Sequence, residues 1–285
     1  MKTQNSVIAF QGEPGAYSEQ AIRQHFGPEA ISLPCRSFDE LFDAVQDGRA
    51  AHGMLPVENS LAGTVIPAYD LLMDYDLQVQ AEAIVRVEHC LMAASGVALG
   101  EIKRVKSHHQ ALAQCRQTLR RLGIEPINYY DTAGAARDLA ANPEAGTAAI
   151  ASELAAQTYG LHILARNVED FNFNYTRFFI LGKETPQRQD PSKTSIIFTT
   201  RHVPGALHDL MGELADRKLN LTKIESRPRR NRPWHYLFYV DFEGHEADEI
   251  VQQALLGILH RSSFLKVLGS YPAADTGKAL RVEID

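Results

Sequence analysis

The stretch Leu55-Pro56-Val57-Glu58-Asn59-Ser60-Leu61-Ala62-Gly63-Thr64-Val65 begins as an apolar strand, continues into three polar side chains and ends in a Gly-Thr pair that opens a helix. Similar strand-to-helix units recur across residues 7–160. Such alternation predicts parallel sheets flanked by helices. Because open α/β sheets bind ligands at the carboxyl ends of their strands, Asn59, Ser60 and Thr64 are candidate donors to a carboxylate or hydroxyl. An Asn-Ser turn with a Thr N-cap explains them equally well.

Two further strand ends carry polar groups. Ser107 follows a predicted strand and is expected to cap the next helix, with Gln110 at the capping-box position. Gln114 shares a helical face with Gln110 and borders the apolar stripe, so a cap does not explain it. Asp131 and Thr132 follow another strand, and either residue can cap the helix that comes after.

The run Asn172-Phe173-Asn174-Tyr175-Thr176-Arg177-Phe178-Phe179-Ile180-Leu181-Gly182 places a hydroxyl beside a guanidinium in a largely apolar segment. Its second half is predicted to be a buried strand, with Thr176 and Arg177 at the mouth. A proton donor and a permanent cation facing a dry cavity would suit an anionic substrate that loses a hydroxide. The alternative is a strand start whose arginine extends to solvent.

No cofactor is indicated. The glycine-rich turn at residues 12–18 favours an anion at a helix start, but it lacks the Gly-x-Gly-x-x-Gly spacing of a nicotinamide-binding site. The eleven histidines are scattered without metal-ligand spacing, so no metal is expected. Neither a Ser/His/Asp arrangement nor a pair of catalytic carboxylates is evident.

Bulk composition bounds the class of protein. The chain has 285 residues, enough for one large or two modest domains, and its net charge of −6 argues against a nucleic-acid surface. No apolar run approaches the ~20 residues of a membrane span, and the N-terminus lacks a signal-peptide pattern. Its three well-separated cysteines are typical of reduced thiols, so we expect a cytoplasmic protein.

The pattern of predicted strands and helices changes along the chain and divides it into segments. Residues 183–193 are polar, contain two prolines and are interpreted as a linker. Residues 194–272 follow the order βαββαβ, which predicts a ferredoxin-like domain that includes a basic loop at 227–233 and a helix at 246–260. Residues 273–285 form a tail without a clear core face.

Taken in order, these segments resemble prephenate dehydratase with a C-terminal ACT regulatory domain, over almost the whole chain. The matching segments are residues 12–19, 56–60 with Gly63, Ser107-His108 with 110–115, Thr176-Arg177-Phe178, 205–207 and 225–228. The chain has His109 where the family often has proline. Since the neighbouring polar positions are kept, this difference matters little.

The resemblance implies a two-lobed, periplasmic-binding-protein-like α/β catalytic domain over residues 1–182. Its lobes would be residues 1–77 with 175–182, and residues 78–174. The family converts prephenate to phenylpyruvate, carbon dioxide and water. Thr176 would assist departure of the ring hydroxyl. The substrate-binding residues implied by the family are Asn59, Ser60, Thr64, Ser107, Gln114, Asp131, Thr132, Arg177 and Phe178.

The resemblance also implies feedback inhibition by L-phenylalanine. The corresponding regulatory residues are Gly205, Ala206, Leu207, Glu225, Ser226 and Arg227. We expect a homodimer or homotetramer, since such regulatory domains commonly pair their sheets. Two alternatives stay open: arogenate dehydratase, which acts on the aminated analogue, and a non-catalytic amino-acid sensor, because solute receptors share the two-lobed fold.

Overall fold

The computed structural model describes residues 6–229 and 232–274, with side chains left out at 229 and 232–235. The strands, in chain order, are β1 (Val7–Gln11), β2 (Ile31–Cys35), β3 (His52–Asn59), β4 (Gly63–Thr64), β5 (Gln78–Arg86), β6 (Cys90–Ala93), β7 (Arg104–His108), β8 (Glu125–Tyr129), β9 (Thr147–Ala151), β10 (His162–Ala165), β11 (Tyr175–Gly182), β12 (Ser192–Thr199), β13 (Leu221–Arg229), β14 (Arg232–Glu243) and β15 (Phe264–Pro272).

The helices fill the intervals between these strands, apart from a short 3₁₀ turn at Leu99–Glu101. In chain order they are α1 (Tyr17–Phe26), α2 (Phe38–Gln46), α3 (Ile66–Asp74), α4 (His109–Gln114), α5 (Arg116–Leu122), α6 (Thr132–Ala141), α7 (Glu153–Tyr159), α8 (Ala206–Ala215) and α9 (Glu249–Arg261). The described residues form two compact units, the first made of residues 6–68 and 83–178 and the second of residues 69–82 and 179–274.

Two sheets organise the first unit. One has the strand order β2-β1-β3-β11-β5, with β4 on β3, and the other has the order β10-β6-β9-β7-β8. The pairs β1–β2, β1–β3, β7–β8 and β7–β9 are parallel, as the alternation of strands and helices predicted. Fully buried side chains such as Phe10 and Ile150 fill the space between sheets and helices. The mixed α/β class is therefore confirmed.

The second unit contains a four-stranded antiparallel sheet of order β13-β14-β12-β15. Helices α8 and α9 cover it through Leu210, Leu214, Ala254 and Ile258, which are buried against the sheet. The helical spacing of these residues places them on one face of each helix. Elements β12 to β15 follow the predicted βαββαβ order, so the ferredoxin-like prediction is confirmed.

Several local predictions were wrong. Ser107 does not cap a helix, because it lies inside β7 and His108 is the N-cap residue of α4. The helix expected after Ser107 is observed as two helices, because it breaks at Cys115 between α4 and α5. Strand β5 lies in the first sheet, although residues 78–86 belong to the second of the two predicted lobes.

In the second unit, the boundaries of several elements also differ from the predicted ones. Ser192 and Lys193, predicted to end the linker, are the first residues of β12. The predicted basic loop is largely strand, since β13 extends to Arg229 and β14 starts at Arg232, while residues 230–231 lie outside the described residues. Helix α9 starts three residues later than predicted. Within the predicted tail, residues 275–285 also lie outside the described residues.

Candidate active site

A cavity of about 540 Å³ lies in the first unit where strand ends and helix starts of both sheets meet. Its polar lining side chains are Gln11, Tyr17, Ser18, Asn59, Thr64, His89, His108, His109, Gln110, Gln114, Tyr130, Asp131, Thr132 and Thr176. Pro56, Val87 and Phe178 are among the apolar ones. No lysine or arginine within the described part of the chain lines this cavity.

Strand β11 brings Thr176 to the cavity. Alternate residues of a strand face the same side, so Thr176 and Phe178 both line the cavity. Arg177 lies between them and is not a lining residue. Its Nη1 atom is 3.9 Å from Glu58 Oε2. Adjacent residues of a strand point to opposite faces, so Arg177 lies outside the lining that Thr176 and Phe178 share. Its contact with a substrate stays a prediction.

Asn59 holds Thr176 from the end of β3. Its Oδ1 accepts hydrogen bonds from the backbone N–H groups of Leu61 (3.0 Å) and Ala62 (2.8 Å) in an Asx turn. Its Nδ2 lies 3.1 Å from Thr176 Oγ1 and 3.1 Å from the carbonyl oxygen of Tyr175. The structure thus brings the predicted residues Asn59 and Thr176 into direct contact.

Ser60 connects the same two strands without lining the cavity. Its hydroxyl donates to the Phe173 carbonyl oxygen at 2.8 Å and accepts from the Tyr175 N–H at 2.9 Å. A second bond runs from the Ser60 N–H to the Tyr175 carbonyl oxygen at 2.8 Å. Ser60 therefore fixes the backbone just before Thr176. The predicted contact of its side chain with a substrate is not supported by this position.

The second sheet supplies Gln114 but not Ser107. Ser107 is 0 % exposed, and its hydroxyl donates to the Ile150 carbonyl oxygen at 2.6 Å. This hydroxyl stabilises the pairing of the neighbouring strands. Its position does not support contact with a ligand, and that contact stays a prediction. Gln114 lines the cavity, and its Oε1 lies 2.8 Å from His89 Nε2 and 3.0 Å from Asn174 Nδ2.

Asp131 and Thr132 line the cavity at the start of α6, and Thr64 lines it from β4. Asp131 is the N-cap residue, and its Oδ1 accepts from the Gly134 N–H at 2.8 Å. Burial raises the pKa of the Asp131 carboxyl, although the N–H groups of Gly134 and Ala133 act in the opposite direction. The first turns of α1 and α6 both reach the cavity, and helix starts attract anions.

Sequence reasoning missed three residues of the site. Tyr17 lies at the start of α1, next to the glycine-rich turn, and its hydroxyl is 2.6 Å from His89 Nδ1. His89 immediately precedes β6 and is only 2 % exposed. Asn174, 1 % exposed, sits two residues before Thr176. The polar character of Asn174 inside the apolar run was a usable signal, whereas nothing local marked His89.

The predicted regulatory residues occupy two elements of the second unit. Gly205 adopts a left-handed φ of 81° as the N-cap of α8, which begins with Ala206 and Leu207. Glu225, Ser226 and Arg227 lie in β13. The Arg227 Nη2 atom donates to both carboxylate oxygens of Asp70 at 3.1 Å. Binding of an amino acid by these six residues stays a prediction.

The described residues form neither a metal-binding cluster nor a membrane-spanning helix. Among them, no group of three or more His, Cys, Asp or Glu side chains is placed to hold a metal ion. No helix of the described part is both long and apolar enough to cross a bilayer.

The fold and cavity define an α/β protein of the type that holds a small polar ligand between strand ends, joined to a ferredoxin-like domain. Comparison with known families is more specific. The family described as prephenate dehydratase matches residues 8–186, and the ACT domain family matches residues 194–260. The chain therefore belongs to the prephenate dehydratase family, whose members are lyases, and carries an ACT domain.

Two of the three similar proteins reported next carry names that agree with this assignment. An Arabidopsis thaliana protein named arogenate dehydratase/prephenate dehydratase 2, chloroplastic, is 44% identical over 280 residues, covering 94% of this chain and 73% of the relative. A prephenate dehydratase from Arthrobacter aurescens, solved with L-Phe, has a TM-score of 0.87 and 33% identity, covering 94% of this chain and 90% of the other. GqqA, described as a novel type of quorum quenching acylase, has a TM-score of 0.88 and 39% identity over 95% and 99% of the two chains.

Proposed function

We propose that this protein converts prephenate to phenylpyruvate, the step in phenylalanine biosynthesis that makes the aromatic ring. The observation that carries the proposal is the hydroxyl of Thr176, which lines a cavity of uncharged donors and accepts a hydrogen bond from Asn59. Since its oxygen is the acceptor in that bond, its proton is directed to another partner. A hydroxyl leaving a bound substrate is such a partner.

The reaction needs little from the protein. As the C–C bond to the ring carboxylate breaks, its electron pair enters the ring, carbon dioxide is released and the ring C–O bond breaks. The departing hydroxide takes up one proton and leaves as water, so the prephenate dianion plus a proton gives the phenylpyruvate anion, carbon dioxide and water. Formation of the aromatic ring supplies the driving force. The protein has to orient the substrate and donate to the departing oxygen.

Neutral groups would bind the two carboxylates. The N-terminal N–H groups of α1 and α6 adjoin the cavity through Tyr17, Ser18 and Thr132. Gln114 and Thr64 add side-chain amide and hydroxyl groups. Such oriented dipoles stabilise negative charge without a counter-ion. Asp131 also lies in the lining, where its carboxylate accepts from the Gly134 N–H at 2.8 Å.

Arogenate is the alternative substrate, because the plant relative carries both names. It differs from prephenate by an ammonium group in place of the keto oxygen. A charged Asp131 would favour that ammonium, whereas a protonated Asp131 would favour the keto acid. The lining thus contains a group that can respond to this difference, and the two substrates have to be compared directly.

The acylase activity named for GqqA fits the cavity less well. An acylase requires a hydroxyl activated by a base that accepts its proton. Thr176 Oγ1 instead accepts from the Asn59 amide, which cannot take a proton from it. This arrangement favours Thr176 as a donor over Thr176 as a nucleophile.

Three properties extend the proposal. L-Phenylalanine would bind the ACT domain, as the ligand of the Arthrobacter aurescens structure suggests. The chain would form a homo-oligomer through the second unit, where the edge strand β13 exposes Leu221 and Ile224. The protein would reside in the reducing cytoplasm, since its three cysteines are buried free thiols.

The test is to incubate the purified protein with prephenate near neutral pH and to measure phenylpyruvate by its absorbance in alkali, beside a protein-free control. Arogenate is assayed in parallel and in competition, and each assay is repeated with L-phenylalanine. We expect turnover of prephenate that L-phenylalanine inhibits. Turnover of arogenate alone would show that arogenate, and not prephenate, is the substrate. Turnover of neither compound would contradict the proposal.

A further inference from the structure

A continuous hydrogen-bonded row of side chains runs behind Thr176. It consists of Asn59, Asn174, Gln114, His89 and Tyr17, and we call it the amide row. Its members come from positions far apart in the chain, and its inner residues Asn174 and His89 are almost fully buried. Because each bond needs one donor and one acceptor, fixing the direction at one end fixes it throughout.

The direction is fixed at Asn59 by the backbone. The N–H groups of Leu61 and Ala62 can only donate, so the Asn59 atom that they contact must be the oxygen. The Asn59 Nδ2 group therefore faces Asn174 Oδ1 at 2.8 Å, and its other hydrogen is shared by the Tyr175 carbonyl oxygen and Thr176 Oγ1. The orientation of this amide is determined by donors that cannot change role.

The same argument passes along the row. Since Asn59 donates to Asn174, the Asn174 atom that accepts is Oδ1, and its Nδ2 donates to Gln114 at 3.0 Å. The Gln114 atom is then Oε1, an acceptor only. His89 Nε2 lies 2.8 Å from that same oxygen and must therefore carry a proton.

At the far end the tautomer of His89 follows. Burial lowers the pKa of His89, which favours the neutral ring. With the proton on Nε2, the neutral ring has an unprotonated Nδ1, which accepts from the Tyr17 hydroxyl at 2.6 Å. The Glu88 carbonyl oxygen, 3.0 Å from that hydroxyl, is the longer contact.

We propose that Asn174 and His89 are positioning residues, which hold the Asn59 and Gln114 amides in place so that Thr176 presents its hydroxyl proton to the cavity. This rests on the proposed function of Thr176 as a donor. Neither residue is assigned a step in the reaction. Asn174 aligns Asn59, and His89 anchors Gln114 by donating from Nε2.

The direct test is the protonation state of His89 in the unmodified protein, by ¹H–¹⁵N correlation of the histidine side chains at neutral pH. His89→Gln identifies the His89 signals by their loss. We expect a proton on Nε2 and an unprotonated Nδ1. A neutral ring with its proton on Nδ1 would overturn the proposed direction, whether or not prephenate is turned over, so the result is independent of the proposed function.

Kinetics provide the second test. His89→Leu removes the donor to Gln114, and we expect kcat to fall about 10- to 100-fold with KM changed less than about threefold. His89→Gln places an amide donor in that position and is expected to recover most of the loss. Equal losses in both variants, or no loss in His89→Leu, would contradict a positioning role.

Asn174→Leu has the same expected effect on kcat, because it removes two hydrogen bonds of the row. Asn128→Leu is the matched control, since Asn128 is exposed on β8 of the same unit. Thermal unfolding of both variants shows whether they are folded. An Asn174→Leu variant that is folded and as active as the control would overturn the proposal, and an unfolded one leaves the tautomer measurement to decide it.

Discussion

The cavity of the first unit and two lysine contacts of the second unit stabilise polar groups in different ways. Around the cavity of the first unit, amides, hydroxyls and a histidine with a lowered pKa form a row of neutral hydrogen bonds from Tyr17 to Thr176. In the second unit, the corresponding contacts are made by charged side chains. Lys193 pairs with Glu82 at 2.9 Å, and Lys266 Nζ donates to the carbonyl oxygens of Leu72, Met73 and Tyr75.

This difference follows from what each region has to do. A neutral amide has a donor end and an acceptor end, so backbone contacts at Asn59 can orient both the row and the Thr176 hydroxyl that Asn59 contacts. A buried charge holds its partner strongly, but loss of that partner leaves an uncompensated ion. Substitutions in the first unit should therefore affect turnover more than stability, and those in the second unit should do the reverse.

Apart from loss of the Thr176 hydroxyl itself, the largest expected effect is at Asn59. Asn59→Leu removes the amide that accepts hydrogen bonds from the Leu61 and Ala62 N–H groups and donates one to Thr176 Oγ1. We expect kcat for prephenate to fall about 10²- to 10³-fold, as for loss of one catalytic hydrogen-bond donor. Steady-state kinetics measure this, and urea unfolding measures stability. A large loss of stability with normal kcat would reverse the comparison.

The next largest effect is expected at Arg227, in the second unit, and it is an effect on stability. Arg227→Met leaves Asp70 without its 3.1 Å partner, and we expect the free energy of unfolding to fall by about 1.5–3 kcal/mol. Arg227→Met with Asp70→Asn should recover part of that loss, because the carboxylate that lost its arginine is then removed as well.

Lys183→Met, at an exposed position of the same unit, is the control for Arg227. Denaturant unfolding of the four proteins measures the effect. A single variant as stable as the control would show that the pair contributes nothing, and the contrast between the two units would then fail.

The smallest effect concerns pH. Burial lowers the pKa of His89 below its ordinary 6.5, while Gln114 and Glu169 act in the opposite direction. The unfolded chain therefore takes up this proton first, and stability falls as pH drops below about 6.5, no more steeply than about 1.4 kcal/mol per pH unit for one proton.

His89→Gln should lose this part of the acid sensitivity. Comparing the unfolding free energies of both proteins between pH 7.5 and 5 checks it, with Glu169 and Tyr17 unchanged in each. Parallel curves for the two proteins would indicate that His89 is not buried in its neutral form.

Local patterns in the sequence were sufficient for much of the site. The polar residues that end the apolar part of β3 predicted Asn59, and the hydroxyl before the apolar part of β11 predicted Thr176. The two-residue period of a strand could also have placed Arg177 on the opposite face, but its charge suggested a partner for an anionic substrate. Ser107 could not be placed, because its acceptor is the carbonyl oxygen of Ile150, which strand pairing brings close.

The amide row could not be predicted from the sequence for the same reason. His89 and Gln114 are 25 residues apart, and Asn59 and Asn174 are 115 residues apart. Such contacts depend on how the strands and helices pack, which no local spacing encodes. The βαββαβ order of the second unit was easier to predict, because it depends on the sequence of elements.

The most direct measurement of the central claim, that Thr176 acts as a hydrogen-bond donor, is the turnover of prephenate by Thr176→Ala and Thr176→Ser. Alanine removes the hydroxyl, whereas serine keeps it on the same backbone between Asn59 and the cavity. We expect kcat of the alanine variant to fall about 10²- to 10⁴-fold with KM little changed, and the serine variant to keep most of its activity. Near-normal turnover by Thr176→Ala would contradict the account.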